Sequence, residues 1–379
     1  MYLFPVLSAG RLYTVCFLVV FGFFAFVSLQ HVLGWPEVDG VNGVEKPVEE
    51  NLWSWDRWSN SQFQDQFSAE YKRNLVARPA FIRTHNQIFY SIYGESKTYV
   101  VIGKNDQLFA YNYFPAFRGF DLQTEETWKA KVDGLKRLQD SLESHGVPLL
   151  IAIAPNKVRL MPENLPDELK KVPGETTNLS RFLSLAEEAE LRVFDFNAYF
   201  ASRNEVDKLT RNTGTHWSAY GATLAMDTLL RLLNTSDAPW TSLRFERGFF
   251  ADSLVDGDTE LADHLNIWFS PPTLRATVPK IQYDTLNAVK PDVLFVADSY
   301  FWTINSLKLN HNTLSRNHSL WYYNSTNFDS RHGEIAVDSL DRWTEILRRD
   351  AVVILATESN LVDFPFGLVE DLKLNVQSE

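Results

Sequence analysis

The chain has 379 residues, of which 45% are hydrophobic and 14% aromatic, enough to build one large hydrophobic core. Its formal net charge is −12 and no run of Lys and Arg exceeds two residues, which argues against nucleic-acid binding as its main role. The single cysteine, Cys16, lies in an apolar segment, so the sequence excludes an intrachain disulfide and a cysteine-ligated metal site.

The N-terminal region predicts a membrane anchor. Residues 12–35 carry no Asp, Glu, Lys or Arg, and they exceed the roughly 20 residues that a membrane-spanning helix needs. A cleaved signal peptide is the alternative, but its apolar region is about 7–15 residues long and ends at a small-x-small site, which residues 25–28 match poorly. Arg11 precedes the span and acidic residues follow it, so the positive-inside rule predicts a cytoplasmic tail at 1–11 and the bulk of the chain outside the cytoplasm.

The rest of the chain predicts an α/β fold. Residues 36–50 are rich in Pro, Gly and acid, and a linker is predicted over 36–59. A helix is expected around 63–75 and a short strand at 99–102. Four apolar runs predict buried strands at 147–154, 191–194, 292–297 and 351–356. Helices are predicted before the first strand at 128–142 and between later strands at 180–189 and 218–233. This alternation predicts a mostly parallel sheet flanked by helices in one domain, 60–360, followed by a C-terminal tail, 361–379.

Ser299 is the first candidate for chemistry. It directly follows the strand predicted at 292–297, and ligands bind at the carboxyl ends of strands in parallel sheets. If Ser299 opens a helix over 301–309, free backbone N–H groups there can hold an oxyanion. The alternative is that Asp298-Ser299 forms only a turn and a helix cap.

His216 is the second candidate. It lies just before the helix that Ser218 is predicted to cap, and the positive end of a helix helps to keep an imidazole neutral and able to act as a base. A histidine beside a tryptophan, here Trp217, is also commonly a packed and hydrogen-bonded core residue.

Asn156 and Lys157 form the third candidate, at the end of the strand predicted at 147–154. The Asn156 side chain can donate to an oxyanion and Lys157 can face a sugar acid, although Pro-Asn also occurs in ordinary strand-ending turns. Because the carboxyl ends of parallel strands share one edge of a sheet, we expect all three candidates to lie close together.

Three motifs, in this order, resemble the SGNH-hydrolase-like domain of the alginate O-acetyltransferase (AlgJ/AlgX) family. They are Pro155-Asn156-Lys157 with Met161-Pro162-Glu163, Thr215-His216-Trp217 with Tyr220-Gly221, and Asp298-Ser299-Tyr300. Residues 78–83 with Asn86, and residues 102–109, resemble upstream motifs of the same family. The resemblance covers roughly residues 60–360.

The resemblance implies a single-pass protein of the bacterial inner membrane with a periplasmic acetyltransferase domain. Ser299 would carry the acetyl group and His216 would act as its base, with Asn156, Lys157 and Tyr300 as candidates for oxyanion or substrate contacts. The implied partners are a membrane-bound O-acyltransferase as acetyl donor, a polysaccharide acceptor, and proteins of exopolysaccharide synthesis and export. No cofactor and no metal are expected.

One position departs from the family pattern. The family usually has Asp-x-His-Trp, whereas this chain has Gly214 where the aspartate is expected. A carboxylate behind a catalytic histidine fixes its tautomer and stabilises the imidazolium. Asp298 lies too close to the serine to serve, so Asp195 and Asp227 are possible replacements; otherwise the chain works through a Ser–His dyad or has lost activity.

Two other functions therefore remain open. The same residues suit a carbohydrate esterase or deacetylase, while Gly214 suits a catalytically degenerate, membrane-tethered polysaccharide-binding scaffold. A carboxylate within hydrogen-bond reach of His216 would favour an enzyme, and an apolar wall there would favour the scaffold. Metal sites are disfavoured, because His311 and His318 are seven residues apart without a nearby third ligand.

Overall fold

The computed structural model describes residues 9–43, 53–170, 176–203, 206–234, 240–246, 250–251, 257–274, 276–284 and 288–372. The chain divides into two compact units. The first consists of Met1–Thr98 with Asp263–Ser270, and the second of Tyr99–Ala262 with Pro271–Glu379.

The first unit is helical. Its helices are α1 (Ala9–Leu33), α2 (Trp55–Ser59), α3 (Gln62–Asn74) and α4 (Arg78–Ile88), which continues into a π-helix at Phe89–Tyr93. In the described part of the chain, Gly10–Leu33 is the one helix long and apolar enough to cross a bilayer, as expected for the anchor predicted at 12–35. Of the linker predicted at 36–59, residues 44–52 lie outside the described residues.

The second unit contains the remaining elements. Its helices are α5 (Tyr113–Arg118), α6 (Glu125–Ser144), α7 (Lys157–Leu160), α8 (Asn178–Glu188), α9 (Phe196–Ala201), α10 (Val206–Leu209), α11 (Ala219–Leu233), α12 (Glu260–His264, which ends in the first unit), α13 (Tyr300–Ser306), α14 (Leu309–Thr313), α15 (Arg342–Leu347) and α16 (Leu368–Asp371). Its strands are β1 (Val100–Ile102), β2 (Leu108–Ala110), β3 (Leu149–Ala154), β4 (Val193–Asp195), β5 (Ser242–Glu246), β6 (Phe250–Ala251), β7 (Ala276–Thr277), β8 (Lys280–Asp284), β9 (Val293–Ala297), β10 (Ser319–Tyr322), β11 (Thr326–Asp329), β12 (Gly333–Ala336) and β13 (Ala351–Thr357).

Seven strands form the central sheet, in the order β12-β11-β10-β9-β13-β3-β4. The five strands from β10 to β4 are parallel to their neighbours, while β11 and β12 add an antiparallel edge. Three two-stranded sheets, β1-β2, β5-β8 and β6-β7, accompany it. The predicted α/β fold with a mostly parallel sheet flanked by helices is confirmed.

The sheet is covered on both faces, which is why its strands appear in the sequence as continuous apolar runs. All residues of β3, β9 and β13 are buried. Alternate strand residues such as Ile151 and Ile354 share one core with Trp128 and Leu138 of α6, whose first turn is capped by Thr124. On the other face, Phe295 packs against Phe301 of α13, with ring centroids 4.9 Å apart.

The hydrophobic core extends into the segment that the sequence analysis assigned to a C-terminal tail. Leu361, Phe364 and Leu368 are at most 1% exposed and belong to the same core as α6. Of the residues assigned to the tail, 361–372 are described, and these apolar residues tie them to the domain.

The sheet brings the candidate motifs to one edge. Ala297 at the end of β9 is paired with Leu355 of β13, and Thr357 at the end of β13 is paired with Ala154 at the end of β3. The segments after these three strands therefore lie along the same carboxyl edge, where ligands bind in parallel α/β sheets.

Candidate functional site

Ser299 and His216 meet at this carboxyl edge. Ser299 lies between the end of β9 and the start of α13, and His216 lies before α11, whose first turn is capped by the Ser218 hydroxyl. The Nε2 atom of His216 is 2.9 Å from the Oγ atom of Ser299. The structure thus brings together the two residues that the sequence analysis selected as nucleophile and base.

A carboxylate stands behind the histidine, and it belongs to Glu260 at the start of α12. Its Oε2 atom is 2.9 Å from His216 Nδ1, and its Oε1 atom accepts a hydrogen bond of 2.7 Å from the backbone N–H of Thr215. Burial works to raise the pKa of Glu260, but its hydrogen bonds with His216 and Thr215 prevail and lower that pKa. An ionised Glu260 requires His216 Nδ1 to carry the proton, which leaves Nε2 free to accept one from Ser299.

Of the alternatives that Gly214 left open, the structure supports recruitment of another acid, and that acid is Glu260. The two replacements considered from sequence serve elsewhere, since Asp195 accepts a hydrogen bond from the Asn197 backbone in α9 and Asp227 pairs with Arg231. Glu260 is 44 residues further along the chain than His216, so no local spacing pattern connects it to the histidine motif.

Gly214 has a steric role in this arrangement. A Cβ atom at this position would lie 2.6 Å from the carbonyl oxygen of Gly257 and 3.2 Å from that of Asp258. Both contacts are with backbone, which cannot move aside as a flexible side chain can. The glycine allows the chain segment that leads to Glu260 to pass directly against the histidine motif.

Lys157 has a structural role, and the expectation that it faces a sugar acid is wrong. Its side chain is buried, and its Nζ atom lies within 3.0 Å of four backbone carbonyl oxygens, those of Leu108, Arg211, Asn212 and Gly214. Burial lowers the pKa of Lys157 well below its usual value. Three of these carbonyls belong to the segment just before His216, so the Lys157 Nζ atom holds that segment in place.

The expectation that Asn156 donates to an oxyanion is also wrong. Its side chain is fully buried, its Nδ2 atom donates to the Tyr113 carbonyl at 3.1 Å, and its Oδ1 atom accepts from the Val158 backbone N–H at 2.9 Å. Asn156 therefore caps α7 and joins it to α5, and its amide is occupied by protein groups.

Tyr300 acts behind the site and does not reach the solvent, because it is only 1% exposed. Its hydroxyl lies 2.8 Å from the Pro155 carbonyl and 2.9 Å from the Thr215 carbonyl, and its ring packs edge-on against His216 at 4.8 Å. Burial raises the pKa of Tyr300 well above its usual value, so the hydroxyl stays protonated and can donate. Tyr300 thereby fixes the histidine segment against the helix that follows Ser299.

Asp298 anchors the serine turn. Its Oδ2 atom accepts hydrogen bonds from the backbone N–H and the hydroxyl of Thr357, at 2.6 and 2.5 Å, and from Asn360 Nδ2 at 2.8 Å. Its Oδ1 atom accepts from the Tyr300 backbone N–H at 3.0 Å. The carboxylate thus joins the ends of β9 and β13, and it occupies the N–H of Tyr300 that an oxyanion would otherwise use.

Tyr323 was not selected from sequence, yet its hydroxyl lies near the serine turn, because Asn360 Nδ2 is 3.4 Å from that hydroxyl and 2.8 Å from Asp298 Oδ2. Tyr323 and Asn324 both have positive φ, 48° and 52°, in the tight turn between β10 and β11. The Tyr323 backbone N–H donates to the Ala297 carbonyl at 2.9 Å. Burial and the charge of Asp298 raise the pKa of Tyr323, so the phenol stays protonated.

The described residues contain one cluster with metal-ligand geometry, formed by Asp329, His332 and Glu345. The Glu345 carboxylate already has two cationic partners: Arg349 Nη2 lies 3.0 Å from it, and Arg348 is paired with it as well. Guanidinium groups in these positions repel a metal ion. Around Ser299, by contrast, a hydroxyl, an imidazole and a carboxylate stand in hydrogen-bonded series, an arrangement suited to acyl transfer.

Gly214 offers a direct test of this geometry. We expect Gly214→Ala to lower the melting temperature and Gly214→Asp to lower it further, because either side chain collides with the backbone before Glu260. The control is Gly40→Ala, where an added Cβ meets nothing within 4 Å. Thermal unfolding of the three variants checks this. A stable Gly214→Asp protein with a higher turnover than the wild type would contradict the assignment of Glu260.

Residues 100–295, just over half of the chain, match the family described as "SGNH hydrolase-like domain, acetyltransferase AlgX". The matched range contains His216 and Glu260 and ends shortly before Ser299.

Curated relatives are similar over part of their length. "Probable alginate O-acetylase AlgJ" of Pseudomonas aeruginosa is 29% identical over 164 residues, which are 43% of this chain and 40% of that protein. The protein of the same name from Pseudomonas syringae pv. tomato is 26% identical over 176 residues, 46% of this chain and 41% of that protein. The chain thus matches about 40% of the length of these relatives.

Two solved structures are similar at lower identity. The O-acetyltransferase domain of Pseudomonas putida AlgJ has a TM-score of 0.47 and 19% identity over 73% of this chain and 99% of that chain. Pseudomonas aeruginosa AlgX has a TM-score of 0.43 and 14% identity over 70% of this chain and 67% of that chain. From the match over residues 100–295, this chain belongs to the family of SGNH hydrolase-like domains of the acetyltransferase AlgX type.

Proposed function

We propose that this protein is a membrane-anchored, periplasmic O-acetyltransferase that transfers acetyl groups to polysaccharide hydroxyls through Ser299. The observation that carries the proposal is the hydrogen-bonded series Ser299–His216–Glu260, with both side-chain distances at 2.9 Å. Membership of the AlgX-type acetyltransferase family supports it, and the curated relatives named as alginate O-acetylases suggest the class of acceptor.

In the first half-reaction the acetyl group moves to the enzyme. The Ser299 Oγ atom attacks the acetyl carbonyl while His216 Nε2 takes the hydroxyl proton, giving a tetrahedral intermediate. The imidazolium then returns its proton to the leaving group, and the bond between the acetyl carbon and that group breaks. The ionised Glu260 lowers the free energy of the imidazolium and keeps its ring in the orientation that faces Ser299.

Tyr323 is the side chain best placed to stabilise the oxyanion. Its hydroxyl is protonated and lies near the serine turn, since Asn360 Nδ2 approaches the hydroxyl oxygen at 3.4 Å while also donating to Asp298. An oxygen that accepts from Asn360 can direct its own proton toward the serine. A donor fixed in this way before the reaction stabilises charge as it develops on the acetyl oxygen.

In the second half-reaction a sugar hydroxyl replaces the leaving group. His216 removes the proton of that hydroxyl as its oxygen attacks the acetyl carbon, and the proton then returns to Ser299 as the ester bond to the enzyme breaks. Water in place of the sugar would give an esterase. The scaffold alternative depended on a missing acid, and Glu260 at 2.9 Å from His216 removes that reason for it.

The apolar helix Gly10–Leu33 supports the proposed location, and membership of the AlgX-type family suggests the proposed partners. We place this helix across the bacterial inner membrane with residues 1–11 in the cytoplasm and the domain in the periplasm. A membrane-bound O-acyltransferase would then supply the acetyl group, and proteins of exopolysaccharide synthesis and export would deliver the acceptor.

Acetylation of Ser299 can be tested by incubating the full chain with a chromogenic acetate ester and measuring the added mass on the peptide that contains Ser299. We expect acetyl-Ser299 in the wild type and its loss in Ser299→Ala. The matched control is Ser306→Ala on α13, whose hydroxyl bonds the Thr303 carbonyl. Adding an oligosaccharide should shift the product from free acetate to acetylated sugar, whereas an esterase would release acetate regardless. Equal labelling of wild type and Ser299→Ala would reject the nucleophile.

Topology can be tested with reporter fusions in a bacterial host. Alkaline phosphatase fused after residue 60 should be active, because that enzyme requires the oxidising periplasm for its disulfides. A cytoplasmic reporter fused at the same position should be inactive. The reverse pattern, or a mature protein that begins near Ser28, would contradict an uncleaved anchor with an outer domain.

A further inference from the structure

The second unit has a cavity of about 840 Å³ whose lining contains neither Ser299 nor His216. It lies between α13 and α14 on one side and β10 and β11 on the other, and its volume is within the range of about 300–1,000 Å³ that is typical of small-molecule sites. The catalytic proposal gives this cavity no role.

The inner wall of the cavity is aromatic. Trp302, Phe301 and Phe328 line it, and the Trp302 ring centroid is 5.2 Å from that of Phe328 in an edge-on contact. Trp302 is half-buried, so part of the indole remains accessible from the cavity. Aromatic rings of this kind provide an apolar surface against which the C–H faces of a sugar ring can pack.

The rim of the cavity is cationic, which is notable in a chain of net charge −12. Lys290 and Arg316 line the opening and are exposed. Lys290 Nζ makes a long hydrogen bond of 3.4 Å to the His311 carbonyl. Among the described residues no carboxylate is paired with either cation. Both cations can therefore turn toward a ligand.

Two ionisable groups deeper in the cavity, His318 and Asp329, already have hydrogen-bond partners inside the protein. His318 Nδ1 is 2.7 Å from the Ser315 carbonyl and its Nε2 is 3.0 Å from Asn310 Nδ2, contacts that fit a neutral ring. Asp329 is partly buried, which works to raise its pKa, but its hydrogen bonds from His332 and Arg331 lower that pKa to about 2. Asp329 is therefore ionised, but Arg331 and His332 lie within hydrogen-bond distance of its carboxylate. The charges at the rim that have no carboxylate partner among the described residues are positive.

We propose that this cavity is a subsite for a sugar unit that carries a carboxylate, belonging to the polysaccharide acceptor. The carboxylate would lie between Lys290 and Arg316, since the planar guanidinium fits a carboxylate in a two-pronged hydrogen bond, and the ring would pack against Trp302. Trp302 is in the first turn of α13, three residues after Ser299, so a chain bound here stays close to the nucleophile. This inference rests on the proposed polysaccharide acetyl transfer.

Binding can be measured by titrating the full chain in detergent with a hexauronate, a neutral hexasaccharide of equal length, and acetate alone. We expect the hexauronate to bind, and the neutral sugar and acetate to bind at least tenfold more weakly. Lys290→Gln/Arg316→Gln should weaken hexauronate binding at least tenfold, because each lost charged hydrogen bond contributes about that factor or more. The control is Lys136→Gln/Arg137→Gln on α6, which removes two cations away from the cavity and should leave binding unchanged.

The catalytic assay separates this inference from the proposed function. Turnover of a chromogenic acetate ester should be the same in the wild type and in Lys290→Gln/Arg316→Gln, since neither residue contacts Ser299. Hexauronate binding that survives in Ser299→Ala supports the subsite, even if acetyl transfer is never observed. If both double variants bind hexauronate like the wild type, or if the neutral hexasaccharide binds equally well, the subsite is rejected while Ser299 remains tested by its own labelling.

Discussion

The carboxylate of Glu260 is the constraint on which the candidate site depends. It accepts the Thr215 N–H through one oxygen and faces His216 Nδ1 through the other, so it fixes both the backbone and the ring of the histidine motif. Without this contact the imidazole is free to turn or to adopt the other tautomer, and Nε2 no longer faces Ser299. Two features bring the chain before Glu260 close to the histidine motif. Gly214 leaves room for its backbone, and Arg211 pairs with Asp258 at 3.3 Å.

The position of Ser299 is also fixed by hydrogen bonds, and these are made by buried groups that do not contact a substrate. Asp298 ties the end of β9 to Thr357 at the end of β13, while Tyr300 bridges to the histidine segment and Lys157 holds the carbonyls before it. These are buried polar groups with their hydrogen bonds made inside the protein, so removing one partner leaves another unsatisfied at a cost of about 1–3 kcal/mol. The distance between Ser299 and His216 is therefore set by hydrogen bonds along the whole carboxyl edge of the sheet.

Sequence reasoning succeeded where the chemistry is local. Buried parallel strands are continuous apolar runs, Thr124 and Ser218 cap the helices they precede, and a serine after a strand and a histidine before a helix were placed together. It failed where the partner is distant, because nothing near His216 points to Glu260, and the position of Tyr323 depends on the pairing of β10 with β9 and β11. It also selected Asn156 and Lys157 as candidates for oxyanion or substrate contacts. A polar residue at a strand end can equally bind a ligand or satisfy buried backbone groups, and the structure shows the second.

The most direct test of this account is the acetyl-transfer rate of Glu260→Gln, measured beside Asp227→Asn. Both substitutions replace a carboxylate by an amide of nearly the same size, but only Glu260 faces His216, while Asp227 pairs with Arg231 on α11. Loss of an orienting carboxylate lowers kcat by up to about 10⁴-fold in comparable triads. We predict a fall of about 10²- to 10⁴-fold for Glu260→Gln and a rate near that of the wild type for Asp227→Asn. A wild-type rate in Glu260→Gln would contradict the account.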